Sequence, residues 1–410
     1  MPPHRTVESR TMQHQSRTPR LAATRILAAS LALLIATSAV PPTAALDAEH
    51  RAKAQAAIDK GVAYLLEQQN PDGSWSPQPG PAITGLALRV LLQQPDIGPD
   101  HPAVRKATRY ILDRVQPDGS ITDGILNNYN TAISISALAL LDGNPEAADA
   151  IKNGQQYLIS IQWKEGMTDP KGNPVTEDHP YFGGAGYGGS GRPDMSNTGF
   201  MLQALRDTGM DCNDPAFVRA MTFIQRCQGL PTNDLHGDKI THDGGFIYST
   251  SINKDHIGVA ESKASPQLMD EAKQGKPVSG LRTYGSVTYI GFKSYLYRNL
   301  DRDDPLVTAT YDWIRSNWAL DRNPGMPPDI DQQGLYYMYM MLGRALGAFG
   351  QTYIDHPDGT RTDWANALIA ALVERQSEDG SWTNTAERWM EGNPDLVTAY
   401  CLTALIEAIE

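Results

Sequence analysis

Six times along the chain, a segment that is apolar on one face runs into a turn, and a second segment follows that is apolar nearly all round. The first segments begin near Ala57, Ala103, Ala150, Ala216, Leu306 and Trp364, and they carry charge on their outer face, as Arg105, Lys106, Arg109, Asp113 and Arg114 do. The second segments occupy residues 84–88, 131–138, 198–205, 288–296, 336–346 and 398–405, most with a Thr near the start and Ala-Leu near the end. A one-sided stripe predicts a half-wet helix, and an all-round apolar pattern predicts a helix buried on both sides. Four first segments are introduced by a Pro after Asp or Asn, as in Asn144-Pro145 and Asp303-Asp304-Pro305, which is helix-start chemistry. Strand-like alternation is confined to short pieces near residues 245–250.

The turns repeat as well. Gln69 is followed by Pro71, Asp72, Gly73 and Trp75, and Gln376 by Asp379, Gly380 and Trp382. Pro71 ends the helix, Gly73 can adopt positive φ, and Trp75 supplies an apolar anchor. A degenerate version runs from Ile111 through Gly119 to Ile121. Six helix pairs with a buried inner partner predict an all-α (α/α)6 toroid; an open solenoid of helix pairs is the alternative. Two stretches interrupt the pattern, 164–192 and 229–282, both polar and rich in turn formers. Loops of that size in a compact fold are often functional, and both should lie on the rim where inner helices begin.

The ends and the charge narrow the picture. Residues 1–45 carry five Arg, then an apolar run over 26–40, then Thr43 and Ala45 at signal-peptidase spacing. This predicts export to the periplasm or beyond, with cleavage near Leu46 and a toroid over residues 46–410; an uncleaved anchor is the alternative. Loss of five Arg against one Glu moves the formal charge from −12 to about −16. So acidic a chain is poorly suited to nucleic acid. Cys212, Cys227 and Cys401 form no disulfide framework. His236, Asp238, His242 and Asp243 could hold a cation or simply be solvated, and Gly184, Gly186 and Gly189 match a dinucleotide fingerprint in letters only.

The run Lys60-Gly61-x-x-Tyr64-Leu65-x-x-x-Gln69-x-x-x-Gly73-x-Trp75 resembles the QW repeat of squalene and oxidosqualene cyclases. Residues 50–410 are similar to the wider squalene-cyclase and prenyltransferase repeat family, including exported bacterial proteins of one toroid. The resemblance implies the toroid, a central cavity, an isoprenoid-like or other elongated ligand, and isomerase-type (cyclase/mutase) chemistry if the protein is an enzyme. That family's cyclases protonate substrate with an Asp-x-Asp-Asp motif ahead of an inner-helix Thr. Here the matching position reads Asp194-Met195-Ser196-Asn197-Thr198, and Asp301-Arg302-Asp303-Asp304 precedes an outer helix. The prenyltransferase zinc site is also incomplete, since Ser196 stands where a Cys would be needed. No cofactor or metal is therefore expected.

The expected site places Asp194 as the acid, with Asn197 and Asn130 orienting, and Tyr129, Tyr284, Tyr336 and Tyr337 lining the cavity. Arg282, Arg388 and Asp395 are candidate clamps for a polar ligand. Two rivals stay open: a polysaccharide-lyase-like enzyme on the same architecture, and a non-catalytic binding or scaffold protein of the cell envelope or membrane periphery. Oligomeric state is not legible.

Overall fold

The computed structural model describes residues 46–189 and 191–410; the segment read as an export signal lies outside them. Outer helices are α1 (Ala48–Gln68), α3 (Pro102–Leu112), α5 (Pro145–Ile161), α7 (Pro215–Arg226), α10 (Pro305–Ser316) and α12 (Trp364–Arg375). Inner helices are α2 (Ala82–Leu92), α4 (Asn127–Leu138), α6 (Met195–Asp207), α9 (Gly285–Tyr297), α11 (Leu335–Phe349) and α13 (Pro394–Ile409). The inner helices pack in the order α2, α4, α6, α9, α11, α13 and back to α2, so the ring is closed. The fold is the all-α (α/α)6 toroid.

Two departures have simple causes. Helix α1 starts at Ala48, well before Ala57, because Asp47 caps the His50 N–H at 2.8 Å ahead of a solvent-facing turn that carries no apolar stripe. The strands are a small hairpin, β1 (Tyr353–Asp355) with β2 (Arg361–Asp363), while residues near 245–250 make only isolated bridges. An additional helix, α8 (Pro266–Lys273), lies within the second long interruption.

The repeated turn turns out to be an inter-repeat staple. Gln69 Nε2 donates to Gly73 O (3.1 Å) and to Ala103 O on the next outer helix (2.9 Å). Gln376 Nε2 does the same to Gly380 O and to Ala57 O on α1, which ties the last repeat to the first. The indoles of Trp75 and Trp382 donate to Leu65 O and Leu372 O, so each anchor also closes its own helix end. Gly73, at φ +92°, sits so close to Lys106 that a Cβ would lie 2.4 Å from its carbonyl oxygen. Only glycine fits there.

Two more staples are present that the sequence conceals. Gln162 Nε2 bonds Gly183 O and Ala216 O, and Gln228 Nε2 bonds Gly244 O and Leu306 O. In both, long insertions separate the Gln from its Gly. The Thr at five of the six inner-helix starts has a matching job: Thr84, Thr131, Thr198, Thr288 and Thr398 each accept from a turn N–H at 2.9–3.1 Å. Outer-helix starts are capped by Asn144, Asp214 and Asp304, so the acidic run ending at Asp304 is a helix cap.

Candidate functional site

All six inner helices begin at one end of the ring, and their first turns enclose a cavity of about 260 Å³. Its wall includes Ile83, Tyr129, Asn197, Phe200, Val287, Tyr337, Leu396 and Tyr400 from those turns, with Tyr187, Tyr248, Tyr284 and Glu391 from the loops above. Buried phenols are pushed up from their ordinary value by desolvation, so Tyr129, Tyr248, Tyr284, Tyr337 and Tyr400 stay neutral near pH 7. The rings interlock: Tyr129 meets Phe200 edge-on at 5.0 Å, and the Tyr129 and Tyr400 hydroxyls share a 3.0 Å hydrogen bond. Such a wall is apolar, aromatic and uncharged.

One carboxyl group lines it. Glu391 is 1% exposed and accepts from the Tyr337 N–H (2.7 Å) and from Asn384 Nδ2 (2.6 Å). It therefore caps the start of α11, where the helix dipole favours negative charge. Burial outweighs those bonds and pushes the carboxyl up to about 7. A group poised there can exchange a proton at neutral pH.

The mouth is apolar and strained. Trp389 and Met390, 43% and 40% exposed, both adopt left-handed backbone at φ 57° and 67°, and Leu126 does so at φ 49°. All three line the cavity. Tyr187, 45% exposed, completes the collar, and the Trp389 ring lies against Gly334 at the start of α11.

The expected residues divide. Tyr129, Asn197, Tyr284 and Tyr337 line the cavity. Asp194 does not: it lies behind Asn197 as the α6 cap, with its two oxygens accepting from the Asn197 N–H and Nδ2 at 2.9 Å. Burial raises its carboxyl above the usual range, opposed by the Arg192 charge. Asn130 is a staple, accepting from the Ala82 N–H and donating to Pro79 O and Ile125 O. Tyr336 points into the core against Tyr339, because neighbours on a helix diverge by about 100°. Arg282 is exposed and outside the wall. Arg388 is exposed too and stacks over the Trp389 ring at 5.2 Å without an ion pair. Asp395 accepts from the Ser76 hydroxyl at 2.6 Å, away from the cavity.

Glu391 stands between the candidate clamps Arg388 and Asp395, and its cue in the sequence is an acid just before an inner helix. His236 is buried against Thr250 O, and the exposed His242 bonds Gly237 O. Among the described residues no group of three or more His, Cys, Asp or Glu is placed to hold a metal ion. None of the helices is long and apolar enough to cross a membrane among those residues. The three cysteines are free and buried.

No family model matches the chain, and no curated protein matches it. Solved structures do. The type II terpene cyclase MstE from Scytonema, in an apo variant, aligns over 89% of this chain and 99% of its own at 14% identity, with a TM-score of 0.52. A complex of the same cyclase with its product merosterolic acid A gives 0.50 at 14% identity over 89% and 99%. An unsaturated glucuronyl hydrolase specific for heparin gives 0.50 at 12% identity, covering 88% of this chain and 96% of that one. At such identities the likeness is one of fold, shared by terpene-cyclase and glycoside-processing toroids.

Proposed function

We propose that this chain binds an isoprenoid-like, largely apolar small molecule in the cavity at the inner-helix rim, with Glu391 as its single proton-exchanging group. The observation that carries the reading is the wall itself: interlocked aromatic rings and one buried carboxyl. Against the ~150 Å³ that holds one benzene, 260 Å³ suits a ligand of roughly ten to twelve heavy atoms. The similarity of the Gln69–Trp75 and Gln376–Trp382 turns to the squalene-cyclase repeat, and the likeness to a terpene-cyclase toroid, support the same class.

Cyclisation begun by protonating an isolated alkene is not what the site favours. Ser196 and Asn197 occupy the motif positions of the family's acids, and an acid near 7 is far too weak for that step. Glu391 fits gentler general acid–base work on a carbonyl, an allylic position or a hydroxyl. A glycosidase reading is disfavoured because that chemistry uses two carboxyls about 5–9.5 Å apart, and Glu391 alone lines the cavity among the described residues.

Export and an envelope location belong to the proposal through the amino-terminal pattern alone. Native mass spectrometry tests the core of it. The protein, incubated with a mixture of ten- to twenty-carbon isoprenoids and uronate oligosaccharides, should retain an isoprenoid, and Tyr337→Trp should expel it by filling the cavity. Retention of the sugar instead, or an isoprenoid unaffected by Tyr337→Trp, would overturn the reading.

A further inference from the structure

Once the protein's own hydrogen bonds are counted, two fully buried polar atoms of the cavity wall are left over. Asn197 is 1% exposed, and its Nδ2 donates to Asp194 Oδ2 at 2.9 Å while its backbone N–H holds Asp194 Oδ1. With the amide nitrogen so held, Asn197 Oδ1 faces away from the carboxylate and makes no hydrogen bond of ordinary geometry among the described residues, although the Tyr187 hydroxyl is close by. The flipped amide would set oxygen against a carboxylate oxygen, so the orientation is dictated by Asp194. The Tyr337 hydroxyl is likewise buried; the Ser196 side chain lies beside it, but the two make no hydrogen bond of ordinary geometry.

Several other polar groups nearby are spent. Asn130 uses both ends of its amide on backbone, the Tyr129 and Tyr400 hydroxyls share one hydrogen bond, and both Glu391 oxygens accept bonds from the protein. A buried acceptor without a donor is costly, and native proteins leave few of them. An acceptor on α6 and a hydroxyl on α11, both in the wall of one apolar cavity, define a recognition point for a group that can donate and accept at once.

We propose that the ligand is an apolar alcohol or phenol whose O–H donates to Asn197 Oδ1 and whose oxygen accepts from the Tyr337 hydroxyl. Asp194 is then a positioning residue, acting through the Asn197 amide. This rests on the isoprenoid-like reading above and adds that a bare hydrocarbon is rejected, because it would leave both atoms unpaired. A site built to bond a hydroxyl discriminates strongly against the analogue lacking it.

Three probes of matched size separate the two claims: geraniol, its methyl ether, and the corresponding hydrocarbon without oxygen. Binding to the full protein is followed by quenching of the mouth residue Trp389 and by calorimetry. Geraniol should bind at least about tenfold more tightly than the other two. Asn197→Leu should erase that preference. Tyr337→Phe keeps the ring, cannot disturb the Asp194 cap, and should cut the preference on its own. Equal binding of all three probes to the native protein, or a preference untouched by both substitutions, would overturn the hydroxyl inference and leave the ligand-class reading standing. Binding of none would sink both.

Discussion

The two ends of the inner ring solve opposite electrostatic problems. At the rim, six helix N-termini converge, and their N–H groups favour negative charge. The chain answers with Asp194 capping α6 and Glu391, from the loop before α13, capping α11, and leaves an aromatic cavity between the helices. At the other end the C-termini favour cations, and Arg89, Lys293 and Arg344 gather there from α2, α9 and α11. Arg89 lies 3.2 Å from Asp207, Arg344 lies 3.5 Å from Glu407, and Lys293 donates to Gln203 Oε1 at 2.6 Å. One end keeps a space lined by rings; the other fills its space with ion pairs. The same six helices thus separate a binding end from a structural end.

The largest effect should come from breaking the structural end. Lys293 is fully buried, and desolvation, with the Arg344 and Arg89 charges adding to it and Asp207 and Glu407 opposing, holds its amine down near 7. A lysine depressed from 10.5 gives stability that is present above pH 10.5 and lost as pH falls to about 7. Lys293→Met should therefore be more stable than the parent by on the order of 4 kcal/mol at pH 6, with the gap closing toward pH 10. Urea unfolding at the two pH values measures it; a gap of equal size at both would show that the charge is not the cause.

The binding end should give the mirror image. Glu391 is raised from 4.5 to about 7, so its contribution is complete below pH 4.5 and lost as pH climbs through 7. Glu391→Gln should match the parent near pH 4.5 and exceed it by on the order of 3 kcal/mol at pH 8, less whatever the altered bond to Asn384 costs. His236, lowered to about 4 from 6.5, slopes the other way over this range but is common to both proteins and cancels. A difference that grows toward acid pH would contradict the assignment.

The fold was readable because its staples are local. Gln69, Gly73 and Trp75 lie within seven residues, so the turn announces itself, and the six helix pairs it punctuates predict the ring. Gln162 with Gly183 and Gln228 with Gly244 make the same bonds across long insertions, and no short window contains them. The site was less readable because register and packing decide it. Tyr336 and Tyr337 are equivalent as letters, yet one faces Tyr339 and the other the cavity. Asn130 and Asn197 both precede an inner-helix Thr, yet the first is consumed by the α2 start and the second is held by Asp194 with its oxygen free. Glu391 is buried only because α11 brings its N-terminus there, a contact made across 54 residues of chain.

Backbone strain separates the two ends as well, by a smaller margin. Of the five non-glycine residues at positive φ among the described residues, Leu126, Trp389 and Met390 line the cavity, whereas Asn299 lies beyond the C-terminus of α9. Left-handed backbone costs a residue with a Cβ about 1–2 kcal/mol, and asparagine tolerates it better than methionine does. Met390 at φ 67° is 40% exposed, so its side chain recovers little of that cost through burial. Met390→Gly should stabilise the protein by about 0.5–1 kcal/mol, after the extra entropy a glycine loses on folding. Asn299→Gly, at φ 60° on the other side, should gain nothing, since it also gives up the Asn299 contact to Cys212. Equal shifts in the two urea midpoints would mean that the strain is not particular to the mouth. A gain confined to Met390, with weaker retention of the bound ligand, would identify the collar as backbone held out of its relaxed state to line the cavity.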